Sequence, residues 1–150
     1  MSSINSYVKV NNEFILIQEF SGSLPDKNYI EGALELDING KKLIDKNSWD
    51  YIDHLWFILV SGVEHVLNGQ HYMGYFPDQP IEVIFKNLND IYVEIRIDSK
   101  ATVVEKTKVL PLILEGALAF FNALLPLVDG DFGVQQEMLK MEKLLLQSKE

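Results

Sequence analysis

Apolar and polar residues alternate with a period of two over several short stretches of the chain, and recur every three to four residues over two longer ones. A third long stretch is apolar throughout. Short alternation predicts half-buried strands, and the longer period predicts helices. Tyr7 to Phe20 has strand character, interrupted at Asn11-Asn12, a turn signal. Gly22 and Pro25 break the chain between Ser21 and Asp26. Tyr29 to Ile44 then reads as a hairpin about Asn39-Gly40, because a two-residue hairpin turn needs positive φ at both positions. That register sets Asp37 opposite Lys42 and Leu36 opposite Leu43.

Ser48 stands where it would N-cap a long helix, with Asp50 in the first turn, where the helix dipole favours an acid. Trp49, Ile52, Trp56, Leu59, Val63, Val66 and Leu67 form the core face of that helix, and Gly69 ends it. Ile91, Val93, Ile95 and Ile97 alternate with Tyr92, Glu94, Arg96 and Asp98, the pattern of a strand with one wet face. Its partner is Ile81 to Lys86, across a loop from Asn87 to Ile91. Val83 then faces Ile95, Phe85 faces Val93 and Glu82 faces Arg96. Ala101 to Thr107 adds a further strand.

Val109 to Val128 is apolar except at Glu115 and Asn122 and is near the length of one bilayer span. Glu115 at its middle would cost about 2.5–3.5 kcal/mol on insertion. Pro111 and Pro126 stand like the first-turn and terminal residues of a soluble helix. A core or oligomer-facing helix is therefore expected, and no membrane. After Asp129-Gly130, a last amphipathic helix from about Phe132 to Gln147 carries Val134, Met138, Met141 and Leu145 as its stripe and folds back on its predecessor. The expected fold is α+β over a single domain, residues 1–150: an antiparallel sheet built from hairpins, packed against a long central helix and a C-terminal helical hairpin.

Charge narrows the function. The chain carries 22 acidic and 13 basic residues, a net of −9, and Arg96 is its single arginine. Nucleic-acid binding relies on Lys and Arg neutralising phosphates, so no nucleic-acid partner is expected. The absence of cysteine removes disulfides, thiolate zinc sites and a Cys nucleophile, and fits a reducing compartment. The start, MSSINSYVKV, lacks the basic and apolar regions of a secretory signal, so a cytoplasmic location is the expectation. The charge is also uneven. Ser48 to Asp98 holds eight acidic against two basic residues, with all three histidines and both tryptophans.

No pattern in the sequence brings catalytic chemistry with it. His54 and His65 lie on nearly one helix face but roughly 16 Å apart at 1.5 Å per residue, too far to share a metal. Asp50 and His54, one turn apart, lack further ligands. Asp50, His54, Ser61, Glu64 and Asn68 read instead as a solvated stripe. Neither a GxSxG elbow nor a glycine-rich phosphate loop is present. Glu115 is an acid inside an apolar helix, where burial would raise its pKa, or a polar link to another element. No catalytic, cofactor-binding or metal-binding residue is expected.

The stretch Gln70 to Pro80, QHYMGYFPDQP, gathers His71, Tyr72, Met73, Tyr75 and Phe76. Large aromatics on a rigidly held loop favour recognition. Alternatively Tyr72, Tyr75 and Phe76 fold inward as a lid or form a short strand. Asp78 adds a charge on the segment stiffened by Pro77 and Pro80.

Small, acidic, cysteine-free and α+β, with its acidic aromatic segment at 48–98, the chain resembles the immunity proteins that neutralise bacterial toxins. The resemblance is one of general type. It implies a bacterial inhibitor that binds a toxin domain directly, often a basic nuclease. The expected function is a non-enzymatic protein-binding domain with a basic partner. Asp50, Asp53, Glu64, Asp78, Glu82 and Glu94 would steer that partner, and His71, Tyr72, Tyr75 and Phe76 would touch it. One alternative is a homodimer formed through the apolar helix 109–128. Another is a small-molecule binder or enzyme using Tyr92, Arg96 and Glu115 in a groove between sheet and helices.

Overall fold

Two tight turns with left-handed backbone set up the first sheet. In a computed structural model, which describes the backbone of residues 1–150 and every side chain but that of Phe132, Asn11 and Asn12 sit at φ 53° and 64°, and Asn39 and Gly40 at 52° and 82°. Asn and Gly reach this region at least cost. The turns close the hairpins β1 (Ser3–Val10) to β2 (Glu13–Leu16) and β3 (Glu31–Ile38) to β4 (Lys41–Ile44). β1 also pairs with β3, giving the order β2-β1-β3-β4, and the short β5 (Asp50–Tyr51) pairs beside β3. Asp37 lies opposite Lys42, but an irregularity between Leu36 and Asp37 sets Leu36 opposite Ile44, not Leu43. Leu43 and Ile44 are both buried. Strict alternation would expose one of them, and the bulge resolves that conflict.

Ser48 does not cap the first helix. Lys46–Ser48 is a 3₁₀ turn capped by Asp45, whose carboxylate accepts from the Asn47 N–H at 2.9 Å. The chain then pairs Asp50 with Gly32 and Tyr51 with Glu31 before α1 (Ile52–Leu67) begins. Sheet pairing here outweighs the local capping signal, as tertiary context often does. Trp49 consequently leaves the core face, while Ile52, Trp56, Leu59, Val63 and Val66 remain on it. Gly69, at φ 76°, follows the end of the helix.

The aromatic stretch after α1 is not an open loop. It forms β6 (Tyr72–Tyr75), an edge strand of a second antiparallel sheet with β7 (Glu82–Asn87), β8 (Tyr92–Ile97) and β9 (Lys100–Glu105), in the order β6-β7-β8-β9. The β7–β8 register sits two residues from the expected one. Val83 faces Ile97, Phe85 faces Ile95, and Arg96 faces Ile84 instead of Glu82. The turn decides this: the Asn89 side chain accepts from the Ile91 and Tyr92 N–H groups, both at 2.8 Å, and closes a shorter loop. A two-residue slip keeps the same side chains on the same face, so alternation alone does not distinguish the two registers.

α2 (Lys106–Leu124) follows β9 directly, and a 3₁₀ turn over Leu125–Val128 ends it. Pro111 therefore lies inside the helix, not in its first turn. α2 with that turn is long and apolar enough to cross a membrane, yet half of its apolar window is buried in the protein. Phe120 and Phe121 pack on Trp56 and Phe57 of α1, with ring centroids 6.4 and 5.0 Å apart. Glu115 lies on the exposed side and pairs with Lys149 at 3.7 Å. Asp129 and Gly130 turn the chain at positive φ, and α3 (Phe132–Ser148) returns along α2, burying Met138, Met141 and Leu144. Leu144 takes the place expected for Leu145, which packs only at the margin. The fold is α+β: antiparallel sheets built from hairpins, a long central helix and a C-terminal helical hairpin, around a core cluster that draws on both sheets and the helices.

Candidate partner-binding site

The two sheets are tied together at Asp50. Alternation in β5 turns Asp50 inward and Tyr51 outward. Asp50 is only 3% exposed, and its carboxylate accepts from the Tyr51 N–H at 2.7 Å, the Asp78 N–H at 3.1 Å and Gln79 Nε2 at 3.1 Å. Gln79 Nε2 also donates to the Trp49 carbonyl at 2.7 Å. These bonds fasten the turn between β6 and β7 to the first sheet. A buried carboxylate is stable only when its lone pairs are engaged in this way.

Two adjoining clefts open over this junction. One, of about 300 Å³, is lined by Glu31, Trp49, Asp50, Tyr51, Asp78 and Gln79. The other, of about 230 Å³, includes Lys9, Pro25, Asp26 and Tyr29 in its wall. Glu31 and Tyr51 line both. Tyr29 and Tyr51 stand 5.6 Å apart, tilted by 55°, and Tyr29 is 62% and Trp49 39% exposed. Lys9 Nζ lies 4.2 Å from the Trp49 ring centroid and 3.8 Å from Glu31. An ammonium of this chain already uses a ring face and a carboxylate as an incoming cation would. Desolvation raises the Tyr51 pKa, and the carboxylates of Asp78, Glu31 and Asp50 raise it further. A negative field that resists phenolate formation favours cations by the same Coulomb interaction.

Of the expected contact residues, only Asp50 and Asp78 belong to this junction, and Asp50 is buried within it. Glu64 pairs with Lys140 on α3 at 2.9 Å. His71 Nδ1 accepts from the Asn87 N–H at 2.9 Å. Tyr72 packs between Phe85 and His65, with centroids 6.3 and 5.0 Å away, and Phe76 is buried in the core. Alternation along β6 sends Tyr72 to the core face and Met73 and Tyr75 to the open one, so Tyr72 and Phe76 are not presented as exposed anchors. Tyr75, Glu82 and Glu94 share the open face of the second sheet.

Asp53 sits in the first turn of α1 with Oδ1 buried and unpaired, 3.8 Å from His54 at its other oxygen. Burial raises its pKa, opposed by His54 and by two backbone hydrogen bonds. The supposed stripe with Asp50 does not form, because Asp50 lies outside the helix. Tyr92 and Arg96 lie on the sheet and Glu115 on the helical layer, so the three do not form one groove. Among the described residues no group of three or more His, Asp or Glu is arranged to hold a metal ion. The residues that sequence reasoning passed over are Lys9, Asp26, Tyr29, Glu31, Trp49 and Tyr51. For all but Lys9 the signal is aromatics interleaved with acids in PDKNYIE and SWDYID. Comparison of the chain with family models, curated proteins and solved structures finds no match.

Proposed function

We propose that this protein binds a basic protein partner and acts by occupying it, as an inhibitor or immunity protein does, without chemistry of its own. One observation carries the reading: Tyr29, Trp49 and Tyr51 converge with Asp26, Glu31 and Asp78, and with Lys9 against Trp49 and Glu31, over a junction held by the buried Asp50. The acids raise the rate of encounter with a cationic surface. The aromatic faces then hold Lys or Arg side chains, each such contact contributing about 0.5–2 kcal/mol. A basic toxin domain in a bacterial cytoplasm is the partner class this reading favours.

Binding of the intact protein to a labelled oligolysine peptide tests it, followed by anisotropy and by the fluorescence of the exposed Trp49. Binding should weaken as salt rises from about 20 to about 300 mM, across which the Debye length shrinks severalfold. It should fall at least tenfold in the Glu31→Gln, Asp78→Asn double variant and be unchanged in Glu142→Gln on α3. Equal binding by the two variants, or none by the wild type, rejects the reading.

A further inference from the structure

The second sheet has one buried face and one bare face. Its pairing places Met73, Tyr75, Tyr92 and Val103 together on the bare side, with Met73 61% and Val103 50% exposed. Leu88 and Ile91 extend the apolar surface at the β7–β8 turn. More than half of the large apolar side chains exposed in the described structure lie here, and the largest apolar patch of a protein surface is often functional.

The charges of this face differ from those of the rest of the molecule. Glu82, Lys86, Glu94 and Arg96 cancel, in a chain whose net charge is −9. Lys86 lies directly opposite Glu94, and Arg96 is 3.8 Å from it. Glu105, directly opposite Tyr92 on this face, is offset by Lys108 at 3.5 Å, and Asp90 lies in the turn with Leu88 and Ile91.

We infer that this face is covered by the same face of a second copy of the chain, in a two-fold symmetric, sheet-on-sheet dimer. The charge pattern selects that occupant. A basic partner gains no field from a neutral patch, and two molecules of this net charge repel unless they meet through one. Both signs stand on this face, so a two-fold axis can set the cationic side chains of one copy against the carboxylates of the other. The area sets the strength. Four strands about 4.8 Å apart and six residues at about 3.3 Å each cover roughly 400 Å² of flat face per copy. Two such faces bury roughly 800 Å² in all, below the range of stable interfaces, so the dimer is weak and concentration-dependent. This face is separate from the cleft, and the inference stands whether or not the cleft binds a basic partner.

Sedimentation velocity of the intact chain from about 1 µM to about 1 mM, the range in which an interface of this size dissociates, tests the proposal. The mass should rise from monomer towards twice that value. Val103→Asp and, separately, Met73→Glu should hold it at the monomer with unchanged far-UV circular dichroism, since both side chains are exposed. Arg96→Glu should weaken association at least tenfold. Leu146→Asp, on the exposed side of α3, should leave association intact. A wild-type monomer at every concentration overturns the inference. So does a dimer that survives the sheet substitutions or is lost on Leu146→Asp.

Discussion

Replacing Asp50 with Ala removes the acceptor that joins the two sheets, and its cost follows from the geometry. The carboxylate is buried and holds the Asp78 N–H and Gln79 Nε2, each at 3.1 Å, besides the N–H of its neighbour Tyr51. A hydrogen bond to a charged group contributes about 1.5–3 kcal/mol net, so the two loop bonds together amount to about 3–6 kcal/mol. Alanine also relieves the desolvation of a buried charge, which offsets part of that loss and leaves roughly 2–3 kcal/mol. For a chain of this length, that lowers Tm by roughly 4–12 °C. Calorimetry and urea unfolding measure the loss directly. Asp50→Asn keeps one carbonyl acceptor and should fall between Ala and wild type. Hydrogen exchange adds a local readout, because the Asp78 amide loses its acceptor and should exchange faster than the global destabilisation requires. An Ala variant within about 0.5 kcal/mol of wild type, the range of ordinary surface substitutions, would refute the role given to Asp50. Unaltered relative protection at Asp78 would refute it equally.

Other consequences can be checked separately. A Cβ on Gly62 would stand 2.6 Å from the Phe85 ring; overpacking of about 1–3 kcal/mol outweighs the gain of about 1 kcal/mol in helix propensity, so Gly62→Ala should lose stability in urea, and a neutral or stabilising result would mean the ring can move aside. Burial raises the Asp53 carboxyl pKa, so its contribution is whole at acid pH and is lost as pH rises through the raised value. Asp53→Asn should therefore gain stability relative to wild type between about pH 3 and about pH 7, and parallel stability curves would contradict this. Tyr7 donates to Glu35 at 2.6 Å, and that bond, then burial, pushes its pKa up to about 12. Its contribution is whole below the ordinary tyrosine value near 10 and is lost as pH rises through the raised one, so an ultraviolet titration should show a late step that Tyr7→Phe removes; a step that persists in that variant has another source.

What the sequence made legible was local. Asn39-Gly40, Asn11-Asn12 and Asp129-Gly130 occupy positive φ because few other residues do so cheaply, and that requirement is written in the residues themselves. The apolar face of α1 and the wet and dry faces of β8 follow from periodicity for the same reason. The β7–β8 register was not legible, since a shift by two leaves the pattern unchanged and the Asn89 side chain chooses between the options. The start of α1 was lost because Ser48 and Asp50 read as a cap, whereas Asp50 is held by residues nearly thirty positions later in the chain. The cleft was hidden for that same reason. Its walls come from Lys9 and from within residues 24–31, 49–51 and 78–79, which only the folded chain brings together. Charge counting located Asp78 within the acidic middle; Tyr72 and Phe76 turn inward, as the alternative reading of that stretch expected, while Tyr29, Trp49 and Tyr51 line the clefts.

Amide chemical-shift mapping of the intact protein during titration with an oligolysine peptide reads out the proposed seating of a basic partner in the clefts over the Asp50 junction. The shifts should concentrate at Tyr29, Glu31, Trp49, Tyr51, Asp78 and Gln79, the Trp49 indole should move with them, and added salt should reverse the change. Shifts centred on the open face of the second sheet or on α3, or no shifts at low salt, would contradict that seating.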